Sequence, residues 1–307
     1  MKFGVHLPHI GPFHDGPSMI RFAQAVEELG YDSLWGSDHV VFPVSYESKY
    51  PYAEKGDFPL PGSVPWVEEV TSLAFVAGVT SRVKLGTSIL VLPYRNPVLN
   101  AKTLAAVDVL SGGRLIAGIG AGWMREEAEA MGMPFDNRGR RTDEHIEVLL
   151  ALWSQPEASY DGRFYKVPPV SSEPRPLQQP HPPIWVGGHE TGALDRAAKY
   201  GDGWHAYRLT PDEISEKSGH IRSKAGELGR DGAAIEVSVR LPLVLADSST
   251  TIDRALAGTP DDIKRQLSEY RDAGVEYVVF EPPIFEGLDR GIEILDRFVK
   301  EIAPEFG

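Results

Sequence analysis

Histidine and carboxylate side chains occur here in a pattern that could move protons. His6, His9 and His14 stand close together near the N-terminus, and Asp38-His39 follows at the end of the next apolar run. Histidine titrates near neutrality, and a neighbouring carboxylate can fix its tautomer or raise its basicity. His39, Asp38 and His6 are therefore the candidate catalytic residues; a loop or helix cap by Asp38 beside a structural histidine is the alternative. Such side chains could also ligate a metal. No third or fourth ligand falls at a recognisable spacing, so a metal is not expected. The 307 residues include no cysteine, which excludes disulfides, thiolate metal sites and a Cys nucleophile.

Two glycine-rich turns could hold a ligand. Gly118-Ile119-Gly120-Ala121-Gly122-Trp123 departs from the dinucleotide fingerprint, because Trp123 stands where the third glycine belongs. It reads as a tight strand-to-helix turn, or as a cofactor-facing turn walled by Trp123. Gly187-Gly188-His189-Glu190-Thr191 follows an apolar run and opens a helical one. Its N–H groups could face a phosphate, with Thr191 as N-cap and hydroxyl donor; a plain turn is the alternative. Arg138, Arg140 and Arg141 form either a solvated charged face or a clamp on an anion, with Arg141 as the candidate contact. No G-x-S-x-G elbow or Walker loop occurs.

The elements that must position these residues alternate along the whole chain. Strands are expected over 3–7, 33–35, 83–92, 115–119, 184–186, 203–207, 235–245 and 275–280. Helices are expected over 18–30, 67–80, 97–110, 124–131, 140–153, 192–200, 211–228, 260–273 and 288–302. The strands are rich in Val, Ile and Leu rather than alternating, as strands buried on both faces are. Eight such units imply an α/β fold, a closed (β/α)8 TIM barrel forming one domain over 1–307; a doubly wound open sheet is the alternative. Insertions follow strand 2 (40–65, a lid or substrate loop) and precede strand 5. The second contains a hairpin turning at Asp161-Gly162 and a Pro-rich stretch over 168–183. In such a barrel the candidate residues all fall at the catalytic end of the strands.

Composition narrows the partners. A net charge of −13 argues against nucleic acid, although a few local arginines or backbone N–H groups can still hold one phosphate. No signal-peptide core and no long apolar run is seen, so a cytoplasmic protein without membrane association is expected.

Taken together, several motifs resemble those of the bacterial-luciferase-like superfamily, especially its probable F420-dependent oxidoreductase branch. They are Phe3-Gly4-Val5-His6-Leu7-Pro8, Ser33-Leu34-Trp35-Gly36-Ser37-Asp38-His39, the run from Leu85 to Pro97, Leu110-Ser111-Gly112-Gly113-Arg114-Leu115 with the turn ending at Trp123, and Gly258-Thr259-Pro260-Asp261-Asp262. The resemblance implies a barrel that binds F420, or alternatively FMN, at the strand C-termini and performs hydride transfer or monooxygenation on a small molecule. It implies a non-prolyl cis peptide at Ser88-Ile89 behind the ring, a phosphate site at Gly187 and Gly188, and Asp38-His39 near the reactive centre, with His39 or His6 as proton donor or oxyanion partner during hydride transfer. Trp123 stands where the superfamily's sugar-phosphate dehydrogenases carry a Glu, so their acid is absent. A homodimer is implied, and a separate reductase partner if FMN is the cofactor. A non-catalytic flavin-binding relative and a cofactor-free barrel hydrolase are the competing readings.

Overall fold

The computed structural model describes residues 1–53 and 55–307. Eight parallel strands close on themselves: β1 Lys2–His6, β2 Ser33–Gly36, β3 Lys84–Thr87, β4 Leu115–Gly120, β5 Ile184–Gly187, β6 Gly203–Tyr207, β7 Glu236–Leu245 and β8 Tyr277–Glu281. Each pairs with its sequence neighbours, and β8 returns to β1 with Lys2 opposite Tyr277. The expected (β/α)8 barrel is the fold.

The outer layer is α1 Gly16–Glu28, α2 Glu69–Ala77, α3 Pro97–Ser111, α4 Arg125–Ala130, α5 Arg138–Ser154, α6 Thr191–Tyr200, α7 Pro211–Glu227, α8 Pro260–Asp272 and α9 Leu288–Glu301. Helix starts follow from local chemistry. Pro97 occupies the first turn of α3 behind the Asn96 cap, where a missing N–H costs nothing. Thr210 and Thr259 form reciprocal capping boxes with Glu213 and Asp262.

The barrel interior is filled by large rings set against small residues. Trp35, Ile116, Trp185, Tyr277 and Val279 form one buried cluster, and Trp35 stacks on His205 at 4.9 Å. A Cβ on Gly86 would lie 2.2 Å from Trp35, and one on Gly203 would lie 2.6 Å from Trp185. Glycine at those positions makes room for the two indoles.

Three expectations needed correction. The third strand does not run over 83–92: β3 ends at Thr87, the Ser88-Ile89 peptide is cis, and a short strand Leu90–Val91 follows before a 3₁₀ turn. The hairpin turn is not the two-residue Asp-Gly type. Strands Ala158–Asp161 and Lys166–Val170 are joined by four residues, with the Gly162 N–H donating to Tyr165 O at 2.9 Å. A short strand Leu256–Gly258, pairing with β7, was not foreseen.

Candidate active site

The C-terminal strand ends surround a cavity of about 860 Å³, within the usual range for a cofactor site, about 300–1,000 Å³. One wall is Ser88-Ile89. The Ile89 side chain occupies a slot between two glycines: a Cβ on Gly120 would fall 1.8 Å from Ile89 Cδ1, and one on Gly187 would fall 2.8 Å from Cγ2. The two glycine turns singled out in the sequence thus admit one isoleucine from either side.

Behind that wall lies a buried polar network. Arg240 on β7 donates through Nη1 to Ser37 Oγ (2.5 Å), Ser88 O (2.9 Å) and Ser88 Oγ (3.1 Å), and pairs with Glu281 at 2.5 Å. Ser37 Oγ gives its proton to Ser88 O at 3.1 Å. His6 Nε2, 2.8 Å from the same Oγ, is therefore the donor in that contact. Likewise Ser88 Oγ, accepting from Arg240, donates to His205 Nε2 at 2.8 Å, and His205 Nδ1 donates to Ser238 Oγ at 2.7 Å. Burial, helped by the Arg240 charge, holds His6 well below its ordinary value and His205 down at about 3. Both are neutral rings at physiological pH. Burial also lowers His9 to about 4. His6 and His9 come together at Ser37 with ring centroids 5.2 Å apart, whereas His14 sits apart, bonded to Gly11 O at 2.7 Å. Among the described residues no group of His, Asp and Glu is arranged to hold a metal.

The expected Asp38–His39 partnership is replaced by two separate pairings. Asp38 is clamped by Arg95 at 2.6 and 2.8 Å and accepts from Val91 N at 2.9 Å. It ties the end of β2 to the segment after β3. The carboxylate on His39 is instead Glu127 of α4, with Oε2 2.7 Å from Nδ1. Glu127 Oε1 accepts from Val40 N (2.7 Å) and Val41 N (3.3 Å). Its side chain is 0% exposed and that of His39 is 9% exposed.

The loop after β2 roofs the cavity with Tyr50, Tyr52, Phe58 and Trp66. His39 is ringed by Phe42 (4.4 Å), Trp66 (4.9 Å) and Phe58 (5.4 Å). Trp123 stacks on Phe58 at 5.7 Å and forms part of the cavity wall. A second carboxylate fastens the loop: Glu126 Oε1 accepts from Glu47 N (2.7 Å) and Ser48 N (3.1 Å). Burial works against that charge, but the hydrogen bonds from Ser48 and Glu47 prevail and hold the carboxyl down at about 2.

Gly187 and Gly188 line the cavity as expected, and Gly188 has φ +109°, a conformation that favours glycine. Two other candidates are corrected. Thr191 is not the cap of α6: Glu190 is, and it makes no side-chain cap bond, while Thr191 is exposed and outside the cavity lining. Arg141 turns away, bonding Asn137 at 2.7 Å and lying 4.7 Å over the Phe164 ring. The arginine that reaches the cavity is Arg138, which donates to Gly122 O at 3.0 Å. Glu127, Arg95 and Arg240 escaped the sequence reading, whereas Arg138 belongs to the arginine group it offered as a clamp on an anion. The one local signal was position: Arg95 and Glu127 follow an apolar strand or its turn, and Arg240 lies within β7.

The fold and site define a (β/α)8 barrel whose ligand cavity opens at the C-terminal strand ends. The chain belongs to the luciferase-like monooxygenase family, whose model matches residues 1–257. An uncharacterized Mycobacterium tuberculosis protein is 35% identical over 211 residues, covering 69% of this chain and 72% of its own. The FMNH2-dependent dimethylsulfone monooxygenase of Pseudomonas putida is 31% identical over 215 residues, covering 67% of this chain and 58% of its own. In fold, the coenzyme F420-dependent tetrahydromethanopterin reductase of Methanopyrus kandleri superposes with a TM-score of 0.80 at 20% identity, covering 100% and 99% of the two chains.

Proposed function

We propose that this protein is a coenzyme F420-dependent oxidoreductase that carries hydride to or from a small organic substrate. The charge pattern of the cavity carries this reading. In a chain of net charge −13, Lys49, Arg138 and Arg208 line the cavity, and none makes an ion pair among the described residues. Arg208 also has a buried Nε without a partner. Burial, with Arg125 nearby, lowers the basicity of Arg138, a penalty that an anion would relieve. F420 carries a phosphodiester and glutamate carboxylates, whereas FMN carries one phosphate, so three cations without a carboxylate partner match the longer tail.

The residues present fit such a group. Ser88 and Ile89 would back the ring, with Asp38 and Trp123 at its edges. Gly187 and Gly188 would admit close backbone approach, and the uncapped first turn of α6 would face the phosphate. Bound there, the cofactor supplies the carbon that takes or gives hydride. His39 gives or takes the substrate proton. The aromatic roof excludes water and favours an apolar or aromatic substrate. The reading includes a homodimer, as the family resemblance implies, in the cytoplasm.

The Pseudomonas relative favours a second reading, an FMN-dependent monooxygenase supplied by a separate reductase. Titration of the purified protein with oxidised F420 and with FMN tests both. Tighter binding of F420 supports the first; binding of FMN alone supports the second. Binding of neither overturns both.

A further inference from the structure

We infer that Glu127 is the positioning residue that sets His39 in one tautomer, with a bare Nε2 directed to the ligand. The inference rests on the proposed proton-transfer role of His39 and deepens it. The Glu127 carboxylate cannot rotate freely, because Oε1 is held by Val40 N at 2.7 Å and Val41 N at 3.3 Å. Oε2 is therefore presented to His39 Nδ1 at 2.7 Å. A carboxylate can only accept, so on a neutral ring the proton sits on Nδ1. Nε2 then carries the lone pair. His39 lines the cavity, and Nε2 makes no hydrogen bond among the described residues. When Nε2 takes a proton from a ligand hydroxyl, the O–H bond breaks, an N–H bond forms, and Glu127 faces the resulting imidazolium. The reverse step returns the proton. Because one carboxylate binds both the ring and the first residues of the roof loop, a closed roof and a correctly oriented base come together.

Glu127→Gln separates positioning from packing. The amide is nearly isosteric, and its oxygen can still accept from Val40 and Val41. Its NH2 then faces Nδ1, which must accept, so the proton moves to Nε2 and the base is lost. Ring-15N histidine labelling reads the tautomer directly in the cofactor-free protein, with His39→Gln used to assign the signal among nine histidines. Spectra are taken above the titration of the ring. The wild type is expected to carry its proton on Nδ1, and Glu127→Gln on Nε2. A wild-type ring protonated on Nε2, or an unchanged tautomer in the variant, overturns the inference. If the variant does not fold, the wild-type spectrum alone decides. Since no cofactor is present, failure of the F420 reading leaves this result intact, and the reverse holds for the titrations.

Discussion

At the scale of single residues, the site separates groups that hold a charge from groups that can pass a proton. Asp38 is engaged on both oxygens by Arg95, and His6 is committed to Ser37. His39 combines a cavity position, a carboxylate on Nδ1 and an Nε2 that makes no hydrogen bond among the described residues. His39→Ala is expected to lower turnover by about 10²–10⁴-fold, while the Kd for cofactor, measured by titration, changes little. Unchanged turnover would remove His39 from the chemistry. Arg138→Ala should act in the opposite sense. Losing a charge-assisted hydrogen bond worth about 1.5–3 kcal/mol predicts cofactor binding weakened by roughly 10–100-fold, with the remaining affinity less sensitive to salt. The sequence exposed His39 because it ends an apolar strand beside an acid. It concealed Glu127 because the partner lies 88 positions away, and tertiary pairing of that kind leaves no local pattern.

At the scale of elements, the alternation of apolar runs and helical segments placed every barrel strand but could not resolve the end of the third. An apolar stretch over 83–92 reads as one strand, whereas the backbone turns at Ser88 and presents Ile89 to the cavity. That geometry depends on β4 lying close to β3. A Cβ on Gly118 would meet Thr87 O at 1.7 Å, and backbone cannot yield as a flexible side chain does. Gly118→Ala is therefore expected to destabilise the fold by at least about 1–3 kcal/mol, read as a lower Tm. The roof gives a pH-dependent prediction. Glu126 has its folded pKa depressed to about 2, so its stabilisation is fully present above the unfolded carboxylate value, about 4.3. It is lost as the pH falls through the folded value. The Tm difference between wild type and Glu126→Ala should be constant above about pH 5 and shrink toward pH 2. A difference that grows on acidification would rule out the carboxylate as the latch.

At the scale of the whole molecule, the family likeness covers residues 1–257, yet the barrel closes only with β8, which places Tyr277 opposite Lys2. The sequence reading reached that strand because its apolar run, set between two helical segments, repeats the unit seen seven times before. It could not reveal how the two ends of the chain seal each other. Phe298 of α9 packs on Phe280 at 4.5 Å and on Phe3 at 5.0 Å. Leu295 O accepts from Tyr31 Oη at 2.9 Å, and the Met1 ammonium donates to Phe306 O at 2.7 Å. The last helix therefore covers the junction between the first and last strands rather than trailing from it. Phe298→Ala should cost about 3–5 kcal/mol, lowering Tm by on the order of 10 °C in a chain of this size. Deleting residues 288–307 should do more than remove a helix. Exposed Phe3, Phe280 and Tyr31 would leave the β1–β8 seam uncovered, so the truncated chain is expected to precipitate on expression or to melt without a cooperative transition. If α9 were merely appended, the truncated protein would stay soluble and melt at the wild-type temperature, and closure would have to be attributed to the strands alone.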